Sequence, residues 1–288
     1  MGALKSAAPM KKEDPMIPGV RFTVEKQRVL VPVGEPCRFG CKYCYTRGGE
    51  VGGKKIKMED ILREFQDFAS TTAFETIQLG YDGDPFARPE RGIAMLQKLA
   101  TMHKHVNFST KALLEGPILE DLSAIRRRMA AEGKTLSALI SLSCWDSAPV
   151  VEPHTPSPAD RMLTVANLAR IGLPVFIAVR PVLPHIAERE YERIVTQGLL
   201  AGCEGFIVGP LYADRRGQFV RFIPPGVLAT LPGQQCTVSW SAHVPTWTRY
   251  EDKSRLQRLI QMIEQHGGRA FQSSADVMRL FERREVSR

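Results

Sequence analysis

Apolar residues fall along this chain in two alternating periods. Short runs rich in branched apolar residues recur at 29–33, 76–80, 106–109, 136–143, 175–179 and 205–208, and each reads as a strand. Between them apolar residues return at helical spacing, as in Ile61, Leu62, Phe65 and Phe68, then Ile93, Leu96 and Leu99. The same spacing continues in Ile118, Leu122, Ile125 and Met129, and in Tyr191, Ile194, Val195 and Leu199. Pro32 cannot donate to a ladder, so pairing of the first strand should end there. The helix after the fourth strand opens on Ser157, Pro158 and Asp160, a cap, a first-turn proline and a carboxylate for the helix dipole, and it should stop at Gly172. Six strands separated by helices imply parallel βαβ units with right-handed crossovers. The pattern predicts an α/β fold, a partial (β/α)6 TIM-type barrel with a C-terminal α+β extension; a doubly wound sheet is the alternative.

Residues 1–24 have little apolar periodicity and read as an N-terminal arm, 25–214 as the partial barrel, and 215–288 as an extension covering it. Glycines 48, 49, 52 and 53 form a linker before the first helix. Beyond residue 214 the alternation fails. Short strands are expected at 218–223 and 236–240, then an amphipathic helix with Asp252 as N-cap, Leu256, Leu259, Ile260 and Ile263 on one face, and Gly267-Gly268 at its end. This tail is expected to close one side or the bottom of the barrel and to supply substrate contacts.

Composition changes the picture little. The chain has 288 residues, 43% hydrophobic and 24% charged, ordinary for a soluble protein with a substantial core. No apolar run approaches the roughly 20 residues that span a bilayer, and no apolar signal segment opens the chain. A cytoplasmic setting without membrane contact is expected. The net charge of +8 suits an anionic partner such as a nucleotide or nucleic acid, although part of it lies in Arg126-Arg127-Arg128 and Arg283-Arg284, which read as solvated helix faces.

Cys37, Cys41 and Cys44 carry the most specific chemistry. Spaced C-x3-C-x2-C on one loop, three thiolates can hold three irons of a four-iron, four-sulfur cluster and leave the fourth iron open. A zinc site is the rival, but it usually takes four ligands from paired knuckles, and no second knuckle follows. Cys144, Cys203 and Cys236 stand far apart in apolar segments, as buried structural cysteines do. Six cysteines in this length make no disulfide framework.

In a barrel of this kind ligands bind at the C-terminal ends of the strands. The polar residues expected there are the cysteine loop, Tyr81, Asp82 and Asp84, Ser109 and Lys111, Ser141 and Ser143, Arg180 and Tyr212.

The cysteine spacing, with Tyr43 directly before the third cysteine, resembles the radical S-adenosylmethionine (SAM) superfamily. With Gly83-Asp84-Pro85-Phe86, Ser109-Thr110-Lys111, Ile140-Ser141-Leu142-Ser143 and the helix start from Pro156 to Arg161, the match over roughly residues 29–212 resembles its spore photoproduct lyase-like branch. That resemblance implies a [4Fe-4S] cluster and SAM, with SAM cleaved to a 5′-deoxyadenosyl radical that abstracts hydrogen from a substrate. It further implies that Lys111 and Ser141 hold the amino-acid end or ribose of SAM and that Tyr43 lies beside adenine. Asp82, Asp84, Ser143 and Arg180 are the remaining candidate cofactor contacts.

One departure matters. True spore photoproduct lyases resemble each other in using a cysteine near the end of the second strand as a hydrogen-atom donor, where this chain has Gly80-Tyr81-Asp82. Tyr81, Cys144 and Tyr212 are the candidate donors instead. The expected substrate is a small molecule or nucleoside, with nucleic acid second and a peptide third, and the expected electron source is a flavodoxin or ferredoxin. A non-catalytic zinc protein is the reading from a different class.

Overall fold

The computed structural model describes residues 22–48, 55–214, 216–238 and 246–286. Its first half runs β1 (Thr23–Glu25), β2 (Arg28–Val31), α1 (Met58–Thr71), β3 (Thr76–Leu79), α2 (Pro89–Leu99), β4 (His105–Thr110), α3 (Pro117–Ala131) and β5 (Leu136–Ser141). It continues through α4 (Ala148–Val151), α5 (Pro158–Arg170), β6 (Val175–Val179), α6 (Glu188–Leu200) and β7 (Gly205–Val208). The remainder is β8 (Leu211–Ala213), α7 (Pro225–Ala229), β9 (Gly233–Cys236), β10 (Trp247–Tyr250), α8 (Lys253–Gln265), β11 (Ala270–Phe271) and α9 (Ser274–Val286).

Strands β2 to β7 pair in parallel, each beside its neighbour in the chain. A doubly wound sheet reverses its strand order part-way, so this sequential order identifies a curled half-barrel. Strand β1 adds an antiparallel edge and β11 a parallel one, giving eight strands. The ends and caps follow local chemistry. Strand β2 stops before Pro32, and Ser157 and Asp160 form a reciprocal capping box on α5.

The two faces of the sheet differ. Outward residues such as Val29, Ile77, Val106, Phe108, Ile140 and Ile177 are fully buried in the main core with helix residues such as Phe65, Leu122 and Val165. The inner face carries Arg28, Gln78, Asn107, Ser109 and Ser137, which bond to one another: Asn107 donates to Ser137 Oγ at 2.9 Å, and the Arg28 guanidinium donates to Gln78 and to Ser274. A polar interior is expensive unless paired, and a half-barrel keeps one only where it frames a site. On the same inner face Leu139, Phe176 and Ile207 meet Val277, Met278 and Phe281 of α9 in a separate apolar cluster. Part of the tail thus packs apolar side chains against the inner face of the sheet.

Three expectations need correcting. Residues 23 and 24, placed in the arm, belong to β1, joined to β2 by a tight turn at Lys26 and Gln27 with φ of 49° and 68°. Such a turn normally advertises itself with Asn or Gly, and neither is present. The strand expected at 218–223 is instead a 3-10 turn at Gln218–Val220, because the Asp214 carboxylate accepts the N–H groups of Gln218 and Phe219 at 2.6 and 3.3 Å. Among the described residues of the strand expected at 236–240, which are 236–238, only Cys236 is in a strand, at the end of β9, which pairs with β10, itself paired with β8. Positions 239 and 240, most of the arm, glycines 49, 52 and 53 and the side chains of Arg283 and Arg284 lie outside the described residues.

Candidate functional site

The cysteine loop leaves the carboxyl end of β2 and is tied down from three sides. Val33 N–H donates to Asp82 Oδ1 at 2.7 Å, the Arg91 guanidinium donates to the carbonyls of Val33 and Ile56 at 2.9 and 3.1 Å, and Lys42 N–H donates to Val151 O at 2.9 Å. Within the loop Cys44 N–H donates to Cys41 O at 3.1 Å, a turn that aims both sulfurs inward. Cys41 is buried, Cys37 and Cys44 are half-buried, and all three line one cavity of about 960 Å3 at the strand ends. Burial pushes the Cys37 thiol up to about 11 and Cys41 to about 12, with the Lys111 charge pulling Cys41 the other way. Both therefore hold their protons at neutral pH unless a metal takes the proton's place. Among the described residues no group of three or more His, Cys, Asp and Glu side chains gathers around a single-ion site. A multi-iron cluster, by contrast, is held by thiolates spread around a shared space rather than converging on one ion.

Across the cavity the ends of β3 and β4 place two charged residues. Gly80, at φ +98°, turns the chain after β3 where a Cβ would meet Ser109 O at 2.9 Å. That turn carries Asp84 to β4, where its carboxylate accepts from Thr110 Oγ1 at 2.8 Å, Lys111 N–H at 2.6 Å and Phe86 N–H at 2.9 Å. Burial raises the Asp84 pKa despite these bonds. Lys111 Nζ donates to Tyr43 Oη and to Glu152 Oε1, both at 3.0 Å.

Glu152 is the centre of this network and was not singled out from the sequence. It is 1% exposed, accepts from Arg161 at 2.6 Å and from the Tyr43 hydroxyl, and Tyr43 also accepts from Ser143 Oγ at 3.0 Å. Burial opposes its charge, but the cations of Lys111 and Arg161 hold its pKa down to about 2. Burial likewise opposes the Lys111 charge, while Glu152 carries the Lys111 pKa above the ordinary value. Two cations on one carboxylate leave a net positive charge beside the cysteine loop.

The remaining predicted residues divide. Tyr81, Ser141, Arg180 and Tyr212 line the cavity with the cysteines, as do Tyr43, Asp84, Ser109 and Lys111. Asp82, Ser143 and Cys144 do not: each is almost fully buried, Asp82 as the anchor of Val33, Ser143 as the donor to Tyr43, and Cys144 within the main core. The tail contributes a wall, where Tyr212, Tyr45 and Tyr81 pack against Phe219, Val238 and Trp247. Besides Glu152, sequence reasoning missed Arg161 and Tyr45 as site residues. None lies at a strand end, and only contact in three dimensions marks them.

The fold and this mouth define a half-barrel enzyme with its ligand cavity at the carboxyl ends of parallel strands. The family model of the radical SAM superfamily matches residues 31–197, more than half of the chain, and the chain belongs to that superfamily. Membership implies a four-iron, four-sulfur cluster and SAM as cofactors. Uncharacterised proteins of Mycobacterium bovis and Mycobacterium tuberculosis are each 24% identical over 203 residues, which is 64% of this chain. The alignment spans 59% of the length of those curated relatives. A solved spore photoproduct lyase mutant shares the fold at TM-score 0.64, 14% identity, 92% of this chain and 81% of that one. Another, with dinucleoside spore photoproduct, gives 0.63, 14%, 90% and 79%. The radical SAM methyltransferase TsrM of Kitasatospora setae, with tryptophan and a SAM analogue bound, gives 0.54, 10%, 86% and 54%. No helix among the described residues is long and apolar enough to cross a membrane.

Proposed function

We propose that Cys37, Cys41 and Cys44 hold the cluster and that SAM lies between the cysteine loop and the ends of β3, β4 and β5. The observation that carries this reading is that the three thiols share one cavity with Asp84, Lys111 and Ser141. When bound, the cluster and SAM supply one-electron cleavage to a 5′-deoxyadenosyl radical, which abstracts hydrogen from the substrate. The chain's own residues bind and orient. Asp84 keeps lone pairs for an ammonium group beyond those given to Thr110 and the backbone, and Lys111 has a donor left after Tyr43 and Glu152. The net positive charge of Lys111, Arg161 and Glu152 favours a carboxylate beside it. Ser141 offers its hydroxyl at the end of β5 for the ribose, and Tyr43 is held rigidly at the loop by its three partners. Tyr81 and Tyr212 are the hydrogen-donor candidates that line the cavity.

At about 960 Å3 the cavity is at the upper end of ordinary ligand sites, room for SAM and a small molecule or nucleoside together. A nucleic-acid substrate is the second reading, favoured by the net charge of +8. The electron would come from a flavodoxin or ferredoxin. Anaerobic reconstitution with iron and sulfide, reduction with SAM present and assay for 5′-deoxyadenosine test the reading. Product should form and be lost in Cys37→Ala; a colourless zinc protein with no cleavage would overturn it.

A further inference from the structure

The cavity holds several cations, and most are already answered. Lys111 pairs with Glu152 at 3.0 Å, Arg28 with Glu25, and Arg249 with Glu251. Lys253, at the rim, is exposed to solvent. Arg180, at the end of β6, is different: among the described residues it has no carboxylate within ion-pair distance and no hydrogen bond, although it lines the cavity. Its side chain lies across Gly209, where a Cβ would come within 2.7 Å of Nε, so the chain after β7 is kept bare beneath the guanidinium. Burial and the nearby Arg28 both disfavour its charge, and Tyr212 is the chief group supporting it. A half-buried guanidinium without an anion is a standing cost that a bound oxyanion removes, and its planar fork matches one in two-point contact.

Arg180 and Lys111 also occupy different electrical neighbourhoods. Arg180 senses Tyr212, Arg28, Tyr45 and Glu25, whereas Lys111 senses Glu152, Cys41 and Arg161. Beside Arg180 stands the aromatic wall of Tyr45, Tyr81 and Tyr212. Aromatic faces next to a lone cation suit a flat ring that bears an acidic group.

We infer that Arg180 is the anion-binding residue of the substrate subsite, taking a phosphate ester or carboxylate whose attached ring or chain rests on Tyr81 and Tyr212. The inference deepens the proposed function, because it assigns SAM to the Lys111 side and the substrate to the Arg180 side.

The test uses the full chain and three probes, inorganic phosphate, acetate and SAM, with sodium chloride as the ionic-strength control. Phosphate or acetate should raise the melting temperature of the wild-type protein beyond the chloride control, and whichever acts more strongly identifies the anion. Arg180→Met should lower affinity for that anion at least tenfold, melt higher than wild type without any anion, and keep the SAM-dependent shift of the reconstituted protein. Arg180→Lys should retain part of the anion response. Equal anion responses in wild type and Arg180→Met, or a loss of the SAM shift in Arg180→Met, would overturn the assignment. Phosphate and acetate binding need no cluster, so failure of SAM cleavage and failure of this subsite are read separately.

Discussion

Glu152 shows how a single buried carboxylate organises the side chains next to the cysteine loop. With Lys111 and Arg161 on its two oxygens, its removal leaves two cations facing each other in a desolvated pocket. Glu152→Gln should destabilise the protein by about 3–5 kcal/mol in chemical denaturation, the usual cost of breaking a buried pair from one side. The pH dependence has a definite sign. Because the folded pKa is depressed to about 2, the Glu152 contribution is present above the ordinary glutamate pKa and is lost as pH falls toward 2. Glu152→Gln should lack that acid-side loss. Asp82 behaves oppositely: burial raises it to about 6, so its contribution is present at low pH and disappears as pH rises through 6. Asp82→Asn, which can still accept from Val33, should therefore gain about 1–3 kcal/mol relative to wild type between pH 4.5 and pH 7.5, measured by urea titration at each pH. Cys144 makes a third case. Fully buried and absent from the cavity lining, it should be dispensable for radical formation, so Cys144→Ala should yield 5′-deoxyadenosine within about twofold of wild type. Loss of that product from a folded Cys144→Ala protein would show that the sulfur matters to the chemistry.

At the scale of elements, the strands divide their labour by alternation. Outward side chains bind the helices, and inward ones furnish first a polar layer and then, at the strand ends, the site. Leu136 to Ser143 showed this alternation in the sequence, with serines interleaved among apolar residues. Helix α9 packs against the inner face of the sheet through Val277, Met278 and Phe281. Phe281 is 2% exposed, and Phe281→Ala should cost about 3–5 kcal/mol by emptying that cluster, checked by thermal and chemical denaturation. Most parallel-barrel elements were legible because burial on one face imposes a period. The tail was less so: β9 is Gly233, Gln234, Gln235 and Cys236, a strand held by backbone pairing to β10 and carrying almost no apolar signal.

For the whole molecule, sequence and tertiary structure determined different things. The sequence by itself determined the six-fold βα alternation, the capped helix starts and the cysteine triplet, because periodicity, capping and ligand spacing are local properties of neighbouring residues. Strand ends were equally readable, so Asp84, Lys111, Ser141, Arg180 and Tyr212 could be nominated from their positions alone. Only the tertiary structure decided which of those ends open on the cavity and which turn into the core, as Asp82, Ser143 and Cys144 do. It also decided that Lys111 is answered by Glu152, 41 positions away, while Arg180 lines the cavity without a carboxylate at ion-pair distance among the described residues. Charge pairing across a barrel depends on distance in space between residues remote in the chain, and no local pattern records it.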